Sequence, residues 1–224
     1  VPGSFAAFQR GLHFLSEAGV TPILKTMVVR SNAHEIERIA EFCRGHSPHV
    51  FRYDSLLSLR SDRNIERNQD IIAERLSPEE IVLIEGRDEA KKKEIRHSCK
   101  KATLPDSPQT DKLFFPCSAG LGSFSIRYDG TFCLCPNLLH PTCVNDLTTG
   151  SLEAAVRNFV PKVRALPGFN MKVKEKCRSC RIINLCQWCP GNMFLETGKL
   201  DDWSPYFCEI AQARWRMVSP PHKV

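Results

Sequence analysis

The sequence has no apolar run approaching the roughly 18 residues that a membrane-spanning helix needs. Its charge is also weakly unbalanced, because 31 Lys and Arg against 25 Asp and Glu leave a formal net charge of +6. An imbalance of this size does not indicate nucleic-acid binding unless the charge is clustered. The seven histidines are scattered, without the partner residues of a catalytic triad. We therefore expect neither a membrane nor a nucleic acid as partner.

Cysteine is the residue that the chain has in excess. Nine of the 11 cysteines lie between Cys117 and Cys208. Disulfides, zinc and iron–sulfur clusters can each explain such a density. Disulfides alone would leave one thiol over, and the same half of the chain has enough Phe, Leu and Trp for a core without covalent staples. The second half is therefore predicted to use its thiols for binding.

The first hundred residues alternate between predicted helices and predicted short strands. Apolar spacing, capping patterns and β-branched runs mark these elements. In order, they are a helix over 5–15 that stops at Gly19, a strand over 22–29, a helix capped by Asn32 and Glu35 that ends near Gly45, a strand over 49–53, and a helix that begins at Ser77 with Glu80 completing a capping box. This order is typical of parallel βα units.

Two parallel strands are too few for a stable sheet of their own. The chain also opens on a predicted helix with no strand before it. We therefore expect an α/β fold in which residues 1–104 are the last βα units of a larger barrel. The sequence would then be a fragment of a longer protein.

The second half begins with a predicted linker at 105–116, which is rich in Pro, Asp, Ser and Thr. Residues 122–128 and 131–135 predict a β-hairpin around Asp129-Gly130, with a type I′ turn that needs positive φ at both turn residues. Further helices are predicted to begin at Ser151 and at Ser204-Pro205, the latter with Cys208 in its first turn.

Seven cysteines and one glycine have a regular spacing: Cys117-x12-Gly130-x4-Cys135, then Cys177-x2-Cys180-x5-Cys186-x2-Cys189, then Cys208. This pattern resembles the SPASM domain at the C-terminus of radical SAM enzymes that modify peptides and proteins. One spacing departs from the family, in which three residues are commoner between the cysteines at 186 and 189. The resemblance extends upstream, because 11–32 is similar to the fifth βα unit of the radical SAM barrel, and 59–62 and 76–80 are similar to the segment that joins the two domains.

The resemblance implies two auxiliary [4Fe-4S] clusters, an inner one nearer the barrel and an outer one. The inner cluster would be held by Cys117, Cys135 and Cys189. Cys133 and Cys143 are both candidates for its fourth ligand; we favour Cys143, which lies in a freer loop, although the position can also be left open for substrate. The outer cluster would be held by Cys177, Cys180, Cys186 and Cys208. Four-cysteine zinc sites are the alternative use of such pairs.

The resemblance also implies the fold and the activity. The fold would be the last units of a partial (β/α)6 TIM-like barrel, followed over 105–224 by a small cysteine-rich α+β SPASM domain. The intact enzyme would use S-adenosylmethionine, a third [4Fe-4S] cluster and an electron donor such as flavodoxin or ferredoxin to abstract hydrogen from a peptide or protein in the cytoplasm. Asn32 would lie in the vicinity of S-adenosylmethionine.

The Cys-x3-Cys-x2-Cys motif that holds the radical-generating cluster in the family does not occur in this sequence. We therefore expect this chain alone not to cleave S-adenosylmethionine. A cysteine-rich module that binds zinc or an iron–sulfur cluster and recognises a peptide without catalysis is the alternative function. Cys43 follows an aromatic residue at the end of a predicted amphipathic helix, so we expect it to act as a small hydrophobic residue.

Overall fold

The structure is a computed structural model. It describes residues 2–102, 115, 117–167, 176–177 and 180–219, except for the side chains of 100–102. The predicted linker at 105–116 lies outside the described residues apart from Phe115. Contacts divide the chain into a first unit, Val1–Leu57 with Gln69–Leu76, and a second unit, Ser58–Asn68 with Ser77–Val224. The expected boundary between barrel and SPASM domain after residue 104 stays a prediction.

The first unit has the predicted alternation of helices and strands. Its elements are α1 (Ser4–Glu17), β1 (Lys25–Met27), α2 (Ile36–His46), β2 (Arg52–Asp54) and the second part of α3 (Ile65–Glu74). The two strands are parallel, with Lys25 opposite Arg52, as the sequence predicts. Each strand has only three paired residues and is therefore shorter than predicted. Leu12, Leu24 and Cys43 are buried together between these elements, so Cys43 is a core residue here.

Asn32 does not form the predicted capping box. Its side chain accepts a hydrogen bond from the Val29 N–H (2.9 Å) and donates to Met27 O (3.0 Å). It makes no cap to the short 3-10 turn, Ala33–Glu35, that leads into α2. The prediction was wrong because the chain after β1 turns back on itself, and its backbone groups are nearer partners for the amide than the helix.

The second unit is built around a helical layer and a small sheet. Its remaining elements are α4 (Pro78–Arg87), α5 (Glu89–Ala102), β3 (Ser125–Ile126), β4 (Thr131–Cys133), β5 (Val144–Asp146), α6 (Leu152–Ala154), α7 (Val160–Arg164), α8 (Pro190–Thr197) and α9 (Pro205–Val218). The predicted capping box of α4 is confirmed: Ser77 Oγ accepts from the Glu80 N–H (3.2 Å), and Glu80 Oε2 accepts from the Ser77 N–H (2.7 Å). Helices α4 and α5 pack against α9, and for this reason they belong to the thiol-bearing unit.

The predicted hairpin is confirmed as the β3–β4 pair, to which β5 adds a third antiparallel strand. Its turn is not type I′, because Gly130 has a φ of 83° while Asp129 does not have a positive φ. Instead, the Gly130 N–H donates to Arg127 O, and the Arg127 N–H donates to Thr131 O. This is a longer turn with a single left-handed glycine at its end. Phe132 lies opposite Ile126 and is completely buried in the core of this unit.

Arg63 is the one described non-glycine residue with a positive φ, 55°. Its guanidinium carbon lies 5.2 Å from the centroid of the Phe194 ring. Gly198, with a φ of 81°, ends α8 directly beside it, and a Cβ at that position would lie 2.6 Å from Arg63 Nη2. The positive φ of Gly198 disfavours any larger residue at this end of α8, whereas the contact with Arg63 involves the movable end of its side chain. None of the helices described by the structure is long and apolar enough to cross a membrane.

Candidate functional site

Four cysteines of the second unit line one cavity of about 40 Å³. They are Cys177, Cys180, Cys186 and Cys208, which we call the outer set. They come from three segments: the Cys177 and Cys180 pair, the end of the 3-10 turn Ile183–Leu185, and the first turn of α9. These are the four cysteines that the resemblance to the SPASM domain assigns to the outer cluster.

Local hydrogen bonds position the backbone of the segments that carry these thiols. The Cys180 N–H donates to Cys177 O (3.1 Å), which holds the backbones of these two cysteines close together. The Cys186 N–H donates to Ile183 O (3.1 Å) at the end of the 3-10 turn. Pro205 occupies the start of α9, where its missing N–H carries no cost, and it places Cys208 in the first turn.

The walls of this cavity are mainly apolar. They are formed by Ile182, Ile183, Trp188, Met193, Trp203, Phe207 and Ala211. The Trp188 indole N–H donates to Asp202 O (2.8 Å), which fixes the ring in the wall. The Lys176 ammonium lies 3.2 Å from the centroid of the Trp203 ring, so a cation sits at the edge of the cavity.

Burial and neighbouring thiols disfavour ionisation of two thiols of the outer set, Cys177 and Cys186. Burial raises the pKa of Cys186 to about 12. A hydrogen bond from the Trp188 backbone lowers this pKa, and the charges of Cys208, Cys177 and Cys180 raise it. Burial also raises the pKa of Cys177, followed by repulsion from Cys180 and Cys208. An ionised thiol that raises the pKa of a second thiol lies near it, and a bound cation relieves that repulsion.

A second group of thiols, Cys117, Cys135 and Cys189, is the inner set. Burial raises the pKa of Cys189; a hydrogen bond from the Asn192 backbone opposes this effect, and the nearby Cys135 and Cys117 add to it. The structure therefore brings these three predicted ligands into one neighbourhood. Cys117 lies at the start of the described range 117–167, and Cys135 follows the end of β4 by two residues. Cys189 is the N-cap residue of α8.

Backbone N–H groups point at two thiols of the inner set. The Asn137 N–H donates to Cys135 Sγ (3.4 Å), and the Asn192 N–H donates to Cys189 Sγ (3.3 Å). The two asparagines are also joined, because Asn137 Nδ2 donates to Asn192 Oδ1 (3.2 Å). The Asn192 N–H favours the thiolate form of Cys189, and the asparagine contact holds the two segments together.

Two further residues hold the segments of the inner set. Arg164 donates to three backbone carbonyls of the Cys117 segment, those of Cys117 (3.0 Å), Ala119 (2.8 Å) and Phe115 (3.3 Å). Gly191 follows Cys189 by two residues, and a Cβ at that position would lie 3.1 Å from Asn137 O. A side chain at this position would therefore require the Asn137 backbone to move by a few tenths of an ångström.

The two candidates for a fourth inner ligand differ in their surroundings. Cys143 is completely buried in the core against which Cys135 packs, and its sulfur lies 3.7 Å from Thr142 Oγ1. Burial raises the pKa of Cys133, and ionisation of Cys135 raises it further. The Cys133 sulfur donates to Ser125 O (3.7 Å) in the adjacent strand. Both thiols lie near the inner set, so the choice between them stays open.

Within the part of the chain that the structure describes, no three His, Cys, Asp or Glu side chains form a ready coordination shell for a single metal ion. The donor chemistry of the two sets is nevertheless uniform, because every member is a thiol. Thiolates are soft ligands that suit iron–sulfur clusters and zinc rather than magnesium or calcium. The residues present therefore fit a thiolate-bound metal group.

The sequence analysis missed a buried ion pair behind the outer set, between Glu85 and Arg214. Both residues occupy an apolar stripe, since Glu85 is four residues from Ile81 and Arg214 is four residues from Ile210, and both isoleucines are buried. Charged residues of opposite sign at apolar-stripe positions of two helices are a usable sequence signal for such a pair.

Comparison with protein-family models, with curated proteins and with solved structures found no significant match to this chain.

Proposed function

We propose that this chain is the C-terminal part of a radical SAM enzyme with a SPASM domain, which modifies a peptide or protein by hydrogen abstraction. The outer set would hold one auxiliary [4Fe-4S] cluster, and the inner set with Cys143 would hold a second. The observation that carries the proposal is the convergence of four cysteines, from three separate segments, on one cavity. Those four are the ones that the family spacing groups together.

The environment of both sets supports thiolate ligation. A [4Fe-4S] cluster takes up to four cysteine thiolates, and hydrogen bonds to sulfur together with burial tune its potential. The Asn137 and Asn192 N–H groups provide such hydrogen bonds at the inner set. The apolar walls and Lys176 provide a low-dielectric site with a nearby positive charge at the outer set. Bound clusters would supply electron transfer or a substrate-binding iron.

The remaining parts of the proposal come from the family resemblance. The intact enzyme would bind S-adenosylmethionine and a third [4Fe-4S] cluster, receive electrons from a donor such as flavodoxin or ferredoxin, and act in the cytoplasm. Residues 1–104 would contribute the last units of its barrel. The Asn32 side chain bonds to Met27 O and to the Val29 N–H, and so closes the loop over 27–32. Its role near S-adenosylmethionine would therefore be to hold the shape of this loop.

The test is anaerobic reconstitution of the chain with iron and sulfide. We expect a brown protein with about eight iron and eight sulfide per chain. Cys180→Ala should remove the outer cluster and Cys135→Ala the inner one, each lowering the iron content by about half. Cys43→Ala is the matched control, because Cys43 is buried in the core of the first unit, and its iron content should equal that of wild type.

Three outcomes would contradict the proposal. A colourless protein that carries stoichiometric zinc would replace the iron–sulfur assignment by a zinc module. Full iron content in Cys180→Ala or in Cys135→Ala would show that the altered cysteine is not a ligand. Loss of iron in Cys43→Ala would show that iron binds non-specifically to thiols.

A further inference from the structure

A buried ion pair joins two helices behind the outer set. Arg214 Nε donates to Glu85 Oε2 at 2.8 Å, and Arg214 Nη2 donates to Glu85 Oε1 at 2.6 Å. The side chains of Arg214 and Glu85 are only 9% and 2% exposed. This two-point contact fixes the orientation of the guanidinium between α4 and α9.

The third hydrogen bond of Arg214 reaches the cysteine segment itself. Arg214 Nη1 donates to Leu185 O at 3.1 Å in a buried position. That carbonyl belongs to the peptide bond between Leu185 and Cys186, whose N–H donates to Ile183 O at 3.1 Å. Because a peptide unit is planar, anchoring both its carbonyl and its N–H sets the direction in which the chain enters Cys186.

Stability alone does not explain a buried ion pair at this place. Removing two charges from water is costly, and replacing such a pair by apolar side chains of similar size is often neutral or stabilising. Apolar residues could also join α4 to α9. They could not donate a hydrogen bond to Leu185 O, so this bond is what distinguishes Arg214 from an apolar residue.

We propose that Arg214, oriented by Glu85, is a positioning residue that directs Cys186 into the cavity of the outer set. Helix α9 thus has two roles, because it carries Cys208 and also holds the segment that carries Cys186. The inference deepens the proposed function and rests on it for the identity of the bound group. The direction of Cys186, however, is a property of the chain without metal and can be tested there.

The test replaces the ion pair by apolar residues in the double variant Glu85→Met with Arg214→Met. The matched control is Glu79→Met with Arg216→Met, which removes an exposed pair (3.5 Å) from the same two helices. In the reduced, metal-free chain, alkylation by iodoacetamide is followed at each cysteine by mass spectrometry. The rate at Cys186 should rise about three- to tenfold, the change expected for a local opening that loses one hydrogen bond. The control should react like wild type.

A purely structural role predicts a different result. Loss of packing would accelerate alkylation of Cys143 in the core of the same unit together with that of Cys186, and would lower the urea midpoint of unfolding. The positioning role predicts that the rate at Cys143 stays at its wild-type value. An unchanged rate at Cys186, or a parallel rise at both cysteines, would overturn the inference.

A second readout concerns the reconstituted protein. The EPR spectrum of the dithionite-reduced double variant should lose or change the signal that Cys180→Ala also removes, while the signal of the inner cluster persists. A wild-type spectrum in the double variant would overturn the positioning role. A wild-type chain that binds no iron would overturn the proposed function instead, and the alkylation experiment would still decide the role of Arg214.

Discussion

Gly191 allows the two segments of the inner set to approach closely, so adding one methyl group there should separate them. A Cβ at this position would lie 3.1 Å from Asn137 O, 3.2 Å from Asn137 C and 3.3 Å from Asn137 Cβ. All three distances are below the ordinary contact range of 3.4–4 Å. Because two of the three atoms are backbone, neither segment can yield by a simple rotamer change.

The expected cost of Gly191→Ala follows from these distances. Inserting a methyl group into a packed site costs about 1–3 kcal/mol. The gain from replacing a helical glycine by alanine offsets about 0.5–1 kcal/mol of this cost. Two of the three contacts are with backbone atoms, so the upper part of this cost applies, about 2–3 kcal/mol. We therefore expect the free energy of unfolding of the second unit to fall by about 1–2.5 kcal/mol. The iron content of the reconstituted variant should also fall, because Cys189 moves away from Cys135.

Tryptophan fluorescence reports on this unit alone, because the three tryptophans of the chain, Trp188, Trp203 and Trp215, all lie in it. Urea unfolding of the metal-free, reduced chain should show a lower midpoint with an unchanged slope. Gly122→Ala is the control, since its Cβ would meet only Ser118 at 3.7 Å. A Gly191→Ala variant within about 0.5 kcal/mol of wild type would refute the reasoning.

Three further substitutions test the local structure of the second unit by the same fluorescence assay or by hydrogen exchange. Ser77→Ala removes the side-chain acceptor of the capping box and should lower the free energy of unfolding by about 1 kcal/mol; wild-type stability would contradict this role of the cap. Gly130→Ala should cost about 2 kcal/mol or more, because φ is positive and the new Cβ would lie 2.8 Å from Thr148 Cγ2; a smaller effect would mean that the turn has another conformation. Arg164→Met removes three hydrogen bonds to carbonyls. It should speed amide exchange over 117–122 and leave the exchange of the sheet amides unchanged. Equal acceleration in both regions would indicate general destabilisation instead.

The sequence predicted those features of the fold that depend on neighbours along the chain. The periodicity of α1, the capping box at Ser77 and the position of the hairpin glycine are local signals, and the structure contains each of them. The parallel pairing of β1 with β2 followed from the order of the elements. The predicted helix cap at Asn32 was wrong because its side-chain amide bonds instead to the Val29 N–H and to Met27 O.

The candidate site divides in the same way. The family resemblance grouped four cysteines that also share a cavity in the structure. Arg214 and Glu85 are 129 residues apart, so their pairing depends on how α4 packs against α9 and not on any local pattern. The carbonyls that Arg164 contacts are likewise more than 40 residues away. Which group the thiols bind stays a prediction of the family resemblance.

The path of the chain between the two compact units limits how this protein can be divided. The chain passes from one unit to the other three times, at 57–58, 68–69 and 76–77. Residues 58–68 supply Arg63, whose guanidinium lies over Phe194 and against Gly198 at the end of α8. A truncation that begins at 77 or at 105 therefore removes part of the thiol-bearing unit itself. A single cut cannot separate the two units, and the shortest C-terminal piece that keeps the whole second unit starts at Ser58 and also includes Gln69–Leu76.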